Sequence, residues 1–365
     1  MIADFLDKPL HELVGYALFL IGIIVILVIQ SVYYFRLILI KRKNKDDQTE
    51  TPISIIVFVH NEESRIESFL TRLLQLNYTM FEVIVVDMYS GDNTLTIMGA
   101  LERQNTKLKI RNLKDEIRTP EKMAINIALK AANNDWCVFL SPDFEDISPD
   151  YLRVLNNEIS DGTSLVMGYY NNEPNTGLWQ RVERFFEFFS SAAYSTSGVP
   201  VLYQQLNLAF KRQLYFDVDG FRGYMNSNFA NMELIFNRIK HAKVGLSISP
   251  ETILKGEDQS GSTNFGELIQ KRLSIRKTLS LSKKLILKMS GFAILFIIAG
   301  FGLVLFSNVD YWIYLIIPPA VLLILQFIVI MVFQKQLNEK GIFYPSMIYL
   351  LVRPFINTYH SLKFR

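Results

Sequence analysis

The stretch Ile53-Ser54-Ile55-Ile56-Val57-Phe58-Val59, running directly into His60-Asn61-Glu62-Glu63, decides how this chain folds. A nearly unbroken, β-branched apolar run reads as a strand buried on both faces, as in parallel sheets. After the polar tetrad, Ile66, Phe69, Leu70, Leu73 and Leu74 recur at helical spacing. The pattern then repeats. Phe81-Glu82-Val83-Ile84-Val85-Val86 ends at Asp87, and the polar turn Met88-Tyr89-Ser90-Gly91-Asp92 leads to Asn93 or Thr94 as a helix cap. Lys109 to Leu113 reads as a third strand. Glu121 to Ala132 reads as a helix with Met123, Ile125, Ile127, Ala128 and Ala131 on its apolar positions. Trp136-Cys137-Val138-Phe139-Leu140 is a fourth strand, ending at Ser141-Pro142-Asp143. Strands alternating with helices predict an α/β fold with a mostly parallel sheet. Ligands of such sheets bind outside the carboxyl ends of the strands, where His60, Asn61, Asp87, Ser90 and Asp143 fall.

Outward from this core the chain becomes membrane-like. Of 365 residues, 50% are hydrophobic and only 20% charged, against about 25% in ordinary soluble domains. Leu13 to Phe35 is uncharged and long enough to span a bilayer, as are Met289 to Val309 and Tyr311 to Gln334. Asp4, Asp7 and Glu12 precede the first run, so it reads as an uncleaved anchor and not as a secretory signal. Arg36, Lys41, Arg42, Lys43 and Lys45 follow it. By the positive-inside rule the N-terminus lies outside and the following polar stretch is cytoplasmic. The C-terminal spans agree: Lys271, Arg272, Arg276, Lys277, Lys283, Lys284 and Lys288 precede them, Lys335 and Lys340 follow, and Asp310 marks an outside turn. Ile342 to Ile356 is shorter and interrupted by Pro345, Arg353 and Pro354, which suggests an interfacial or re-entrant segment. A net charge of +3 gives no argument for nucleic acid, and the lone Cys137 excludes a disulfide framework and suits a reducing compartment.

Five segments in order then carry a resemblance. Pro52 to Ile56 with His60-Asn61-Glu62-Glu63; Val85-Val86-Asp87 with Ser90, Asp92, Asn93 and Thr94; Lys122-Met123-Ala124-Ile125-Asn126; Asn207 to Arg212 with Gly220-Phe221-Arg222; and Gln270-Lys271-Arg272 together resemble family 2 glycosyltransferases of GT-A fold. That fold is the Rossmann-like architecture of nucleotide-diphospho-sugar transferases, and the resemblance covers roughly residues 52–275. The layout it implies is a short N-terminal segment (1–12), a transmembrane helix (13–35), a basic linker (36–51) and a GT-A domain (52–260). A basic interfacial segment (261–288), transmembrane helices (289–309 and 311–334) and the interfacial or re-entrant segment (342–358) follow.

Sugar transfer needs neutralisation of a leaving diphosphate, a general base for the acceptor hydroxyl, and polar groups that read the nucleotide. The resemblance assigns nucleotide contacts to His60, Asn61, Glu62, Asp87 and Ser90. Lys122 is either a point charge beside the phosphates or an exposed helix lysine. Acceptor contacts fall to Asn207, Gln270 and Arg272. Four motifs depart from the pattern. Where the family carries Asp-x-Asp, this chain has Ser141-Pro142-Asp143, so Asp143 alone is left to hold Mg²⁺ or Mn²⁺. Mg²⁺ accepts one or two carboxylates plus substrate phosphates. Where the family has an acidic pair, this chain reads Ala230-Asn231-Met232-Glu233. If the base aligns with Asn231 it is lost, because an amide cannot take the proton; if it aligns with Glu233, it survives. Tyr203-Gln204-Gln205-Leu206 also replaces a glycine-rich stretch, and Leu273-Ser274 closes the Gln-Lys-Arg block differently.

The expectation is an inverting, inner-membrane, multi-pass glycosyltransferase with its catalytic domain in the cytoplasm. It takes a nucleotide sugar, first of all a UDP-sugar, and passes the sugar to a lipid-linked or polysaccharide acceptor at the bilayer. The alternative is an inactive GT-A scaffold or regulatory subunit. Leu178 to Tyr194, an aromatic amphipathic helix, either lies at the membrane interface or packs on the sheet. Asn264 to Leu287 reads as interfacial. Few spans with almost no ionisable residues argue against a transporter.

Overall fold

The computed structural model describes residues 9–40, 42, 49–144, 146–172, 176–225, 227, 230–256, 265–306 and 312–363. Asp4, Asp7, Lys41, Lys43, Lys45, Asn264 and Asp310 lie outside the described residues. The first apolar run forms helix α1 (Leu10–Ile38), longer at both ends than its uncharged part.

The sheet follows, built as the alternation predicts. β1 (Ile53–Val59), α2 (Ile66–Leu74), β2 (Phe81–Asp87), α3 (Thr94–Gln104), β3 (Leu108–Asn112), α4 (Pro120–Ala131) and β4 (Trp136–Leu140) form the first half. The second half contains α5 (Tyr151–Asn156), β5 (Thr163–Gly168), β6 (Tyr170–Asn172), α6 (Leu178–Thr196), β7 (Leu208–Lys211), α7 (Gln213–Phe216), α8 (Met232–Arg238), β8 (Lys243–Ser247) and β9 (Leu254–Gly256). The order is β3-β2-β1-β4-β7-β5-β8, with β6 and β9 paired in a second small sheet. β1 lies parallel between β2 and β4, in register Ile53 with Phe81 and Trp136. β7 alone in the main sheet runs antiparallel to its neighbours, β4 and β5. The odd positions of β1 (Ile53, Ile55, Val57, Val59) join Phe69, Leu70 and Leu73 of α2 in one core. On β4, Cys137 is buried, and that burial pushes its thiol up to about 12, which leaves it unreactive at neutral pH.

Helix α6 packs within the protein. Phe185, Phe186, Phe188 and Phe189 are all buried, and only Leu178 and Trp179 at its start are exposed among its large apolar residues. Two further helices of this unit lie against it: α9 (Phe265–Thr278) and, after the spans, α12 (Phe343–Lys363). The chain between them forms α10 (Leu281–Phe306) and α11 (Ile317–Gln336). The cations of α9 differ from the lipid-facing expectation. Arg272 is wholly buried, Lys271 meets Glu233 at 2.8 Å, and Arg276 donates to the Tyr203 hydroxyl at 3.0 Å. Arg272 above all needs its internal acceptor, because a charge left buried and unpaired is costly.

Helix α12 keeps going through Pro354 to Lys363, beyond the expected 358. It turns Ser346 and Tyr349 inward, while Tyr344, Ile348, Leu351, Phe355, Tyr359 and Leu362 form an exposed apolar stripe at helical spacing. Among the described residues three other helices are long and apolar enough to cross a membrane: Leu10–Ile38, Leu281–Phe306 and Ile313–Gln336.

Those three helices belong to the second unit, made of Met1–Ile40 and Leu279–Lys335. α1 and α10 touch backbone to backbone. A Cβ added at Gly300 would lie 2.5 Å from the Gly15 carbonyl oxygen, and one at Gly22 would lie 2.7 Å from that of Ala293. Small residues are what permits such approach between apolar helices. At the π-helical stretch Gln30–Tyr34, the Gln30 amide donates to the Leu322 carbonyl of α11 at 3.0 Å.

Candidate active site

Two loops at the carboxyl edge are stapled together. The first follows β1 and the second follows β2. Asn61 has φ 57°, which an asparagine tolerates better than most residues. Its N–H donates to Ser90 Oγ at 2.9 Å, and its Oδ1 accepts from the Gly91 N–H at 2.8 Å. Glu62 N–H donates to Thr94 Oγ1, and Glu63 Oε2 accepts from Asn93 N–H. His60 Nδ1 lies 3.1 Å from the Met88 carbonyl. Asp87 ends β2, 2% exposed, and accepts both the N–H and the hydroxyl of Ser90. Asn93 is the N-cap position of α3, as expected, but its side chain makes no capping hydrogen bond; Asp92 Oδ1 accepts the Thr94 N–H. Tyr89, exposed and at φ 68°, stands out of this turn. Positive φ in a bulky residue is a strained state that clusters at functional loops.

Asp143 stands at the end of β4. Its Oδ1 accepts from Arg65 Nη1 at 3.0 Å and its Oδ2 from Ser141 Oγ at 2.8 Å, and its side chain is 46% exposed. Arg65 also holds Glu62 at 2.6 Å. Burial lowers the affinity of the Arg65 guanidinium for its proton, but Glu62 and Asp143 outweigh it, so the net shift is upward. Among the described residues no group of three or more His, Cys, Asp or Glu side chains is placed to hold a metal. Asp143 therefore fits a divalent cation only as the single protein carboxylate beside substrate phosphates, an arrangement Mg²⁺ accepts.

A second cluster joins the first turn of α4 to the start of α8. Lys122 is buried; its Nζ donates to the Ser227 carbonyl and lies 5.7 Å from the Phe221 ring centre. Burial lowers its pKa, opposed by Glu121 and Glu233. Asn231 is the N-cap residue of α8, and its amide Nδ2 donates to the Glu121 carboxylate. Glu233, 0% exposed, accepts the Asn231 N–H at 3.0 Å and pairs with Lys271 at 2.8 Å. Lys271 is held above its usual range against the effect of burial, Glu233 being the largest favourable neighbour.

The three residues assigned to the acceptor, two of them chain neighbours of Lys271, make other contacts. Asn207 is wholly buried at φ 53°; its amide donates to the Tyr169 and Thr252 carbonyls, and its oxygen accepts the Tyr151 hydroxyl. Arg272 meets Glu183 at 2.7 Å and Asn357 at 2.6 Å inside the protein. Gln270 is exposed. Sequence reasoning missed Arg65, Glu121 and Lys271 as members of these clusters. Only Arg65 carried a local signal, the i,i+3 spacing from Glu62.

Comparison with known proteins bears on the fold and the family. Residues 54–232 match the model of glycosyl transferase family 2. Residues 54–232 are thus a family 2 glycosyltransferase domain. It is 27% identical over 135 residues to the poly-β-1,6-N-acetyl-D-glucosamine synthase of Staphylococcus epidermidis, covering 34% of this chain and 31% of that protein. It is 36% identical over 92 residues to the poly(ribitol-phosphate) β-N-acetylglucosaminyltransferase TarS of Staphylococcus aureus, covering 25% of this chain and 16% of TarS. The match thus spans about a third or less of each relative's length. In fold, the chain is similar to the mannosyltransferase PcManGT from Pyrobaculum calidifontis, whose structure holds GDP-Man and Mn²⁺. The TM-score is 0.50 at 16% identity, covering 94% of this chain and 99% of that one. The GT-A architecture is therefore that of this family 2 glycosyltransferase, joined to three helices apolar enough to span a membrane.

Proposed function

We propose that this family 2 glycosyltransferase is a membrane-anchored, inverting enzyme that moves a sugar from a nucleotide sugar to a lipid-linked or polysaccharide acceptor. The observation that carries the reading is the stapled edge, where Asn61, Glu62, Asp87 and Ser90 are brought together by hydrogen bonds between two loops. A polar floor of this kind reads a ribose and a base. The relatives, named for N-acetylglucosamine polymers and N-acetylglucosaminyl transfer, support a UDP-sugar as the first donor to try. In an inverting step the acceptor oxygen bonds to the anomeric carbon opposite the diphosphate, which leaves with the electron pair. Asp143 would hold a Mg²⁺ or Mn²⁺ that arrives with the diphosphate, and such a metal would supply charge neutralisation. Lys122 lies at the same edge as a further cation.

The bilayer reading extends to α12, whose exposed stripe we place along the membrane surface. The positive residues after α1 and before α10 support a cytoplasmic domain and a multi-pass anchor in the inner membrane.

The competing reading is a scaffold that keeps the fold without chemistry; Ser141 and Asn231 favour it, since each replaces a carboxylate of the family pattern. Calorimetric titration of the detergent-purified chain with UDP, with and without Mn²⁺, tests the proposal. Metal-strengthened binding is expected. Absence of binding to UDP and to GDP alike would overturn it.

A further inference from the structure

The position where the family pattern carries its base is not empty of carboxylates. Three groups meet there. Asn231 has no basic lone pair to take a proton. Glu233 is sealed from solvent, accepts an N–H and pairs with a lysine. The third is Glu121, from a different element. It is exposed on the first turn of α4, and its hydrogen-bond partner among the described residues is the Asn231 amide at its Oε2.

Topology puts this pair where chemistry takes place. β3 and β4 are parallel members of one sheet, so the helix between them begins at the carboxyl edge, beside the ends of β1, β2 and β4. A neutral amide donor fixes the direction of a carboxylate without cancelling its charge, whereas a lysine partner would cancel it. Among the described residues no hydrogen bond engages Oε1 of Glu121, which leaves it for an incoming hydroxyl. Glu233 is instead buried and ion-paired directly with Lys271, whereas the charged neighbour of Glu121, Lys122, bonds the Ser227 carbonyl through its Nζ.

We propose that Glu121 is the general base of this chain and that Asn231 is its positioning residue, the carboxylate having moved from the start of α8 to the start of α4. The inference rests on the sugar-transfer reading above. In the step, the acceptor hydroxyl gives its proton to Glu121 Oε1 as its oxygen bonds to the anomeric carbon. The bond from that carbon to the diphosphate oxygen breaks, and the nucleoside diphosphate leaves with the electron pair. The Glu121 proton later passes to solvent.

The test uses the full chain in its own membranes, supplied with radiolabelled UDP-N-acetylglucosamine and, in parallel, GDP-mannose. Label incorporation is read alongside calorimetric UDP or GDP binding by the purified protein. Glu121→Gln should lose about 10²- to 10⁴-fold in transfer, the usual worth of a general base, while nucleotide binding holds. Adding Asn231→Asp to Glu121→Gln returns a carboxylate to the same spot and should recover at least about tenfold. A Glu121→Gln protein that transfers within about threefold of wild type overturns the inference and leaves the sugar-transfer reading standing. Loss of nucleotide binding together with transfer, unrelieved by Asn231→Asp, assigns Glu121 to folding or donor binding and also overturns it. A wild-type chain that moves no label from either donor and binds neither nucleotide removes the sugar-transfer reading, and the inference falls with it.

Discussion

Asp87 shows how one carboxylate can organise a site without facing solvent. Both of its oxygens are spent on Ser90, and Ser90 in turn receives the Asn61 N–H. Removing the carboxylate releases the turn and the loop stapled to it. Hydrogen bonds to charged groups are worth about 1.5–3 kcal/mol, so Asp87→Ala should weaken nucleotide binding by about ten- to a hundredfold. Calorimetry on the purified variant reads this, with circular dichroism checking that the sheet persists. The residues of this edge were legible in the sequence because each follows an unmistakable strand. Arg65 and Glu121 were not, because their partners, Asp143 and Asn231, are 78 and 110 residues away and meet them only in the fold.

Among the elements, the charged face of α6 decides how its neighbours attach. Glu183 receives Arg272 from α9, and Tyr349 and Arg353 from α12. Arg272→Ala would leave that carboxylate buried and short of a partner, a loss of about 3–5 kcal/mol. Thermal denaturation of the detergent-solubilised protein should fall by several degrees, and adding Glu183→Gln should restore part of it. Nearby, burial and then the Glu183 charge raise the Glu187 carboxyl to about 8, with Arg272, Lys271 and Arg353 pulling the other way. A carboxyl raised in the fold binds its proton more tightly there than in the unfolded chain. Its contribution is therefore full below the unfolded value of 4.5 and is lost as pH climbs to about 8. Glu187→Gln should flatten the decline in melting temperature over that window, measured by scanning fluorimetry from pH 5 to pH 8.5. The sequence announced β1, β2 and β4 through their unbroken apolar runs. It did not announce β5, β6, β8 or β9, which mix polar residues or glycine among their apolar ones, nor the reversed direction of β7. A strand's partner and sense are settled by the crossovers around it and leave no periodic mark.

At the scale of the whole molecule, three helices long and apolar enough to cross a membrane were legible from length and apolarity alone, with bounds that differ from the uncharged stretches by a few residues. The sidedness proposed for them has a direct check. In a Cys137→Ser background, Asp310→Cys should react with a membrane-impermeant maleimide added outside intact cells. Lys45→Cys should react only after the cells are opened. The reverse pattern would turn the domain outward and separate it from cytoplasmic nucleotide sugars.

The buried Asn207 carries an implication for how such a chain can change over generations. A Cβ at Gly168 would stand 2.4 Å from the Asn207 side-chain oxygen, so each position sets what the other can become. An alanine at 168 is closed off while the asparagine stands. Exchanging the asparagine first strands the Tyr151 hydroxyl and two carbonyls in a dry interior. Every single-step route between this pair and another crosses a damaged intermediate. The two positions at the join between β5 and β7 are therefore coupled, and a Gly168→Ala, Asn207→Gly double variant should cost less stability than the sum of the two single changes.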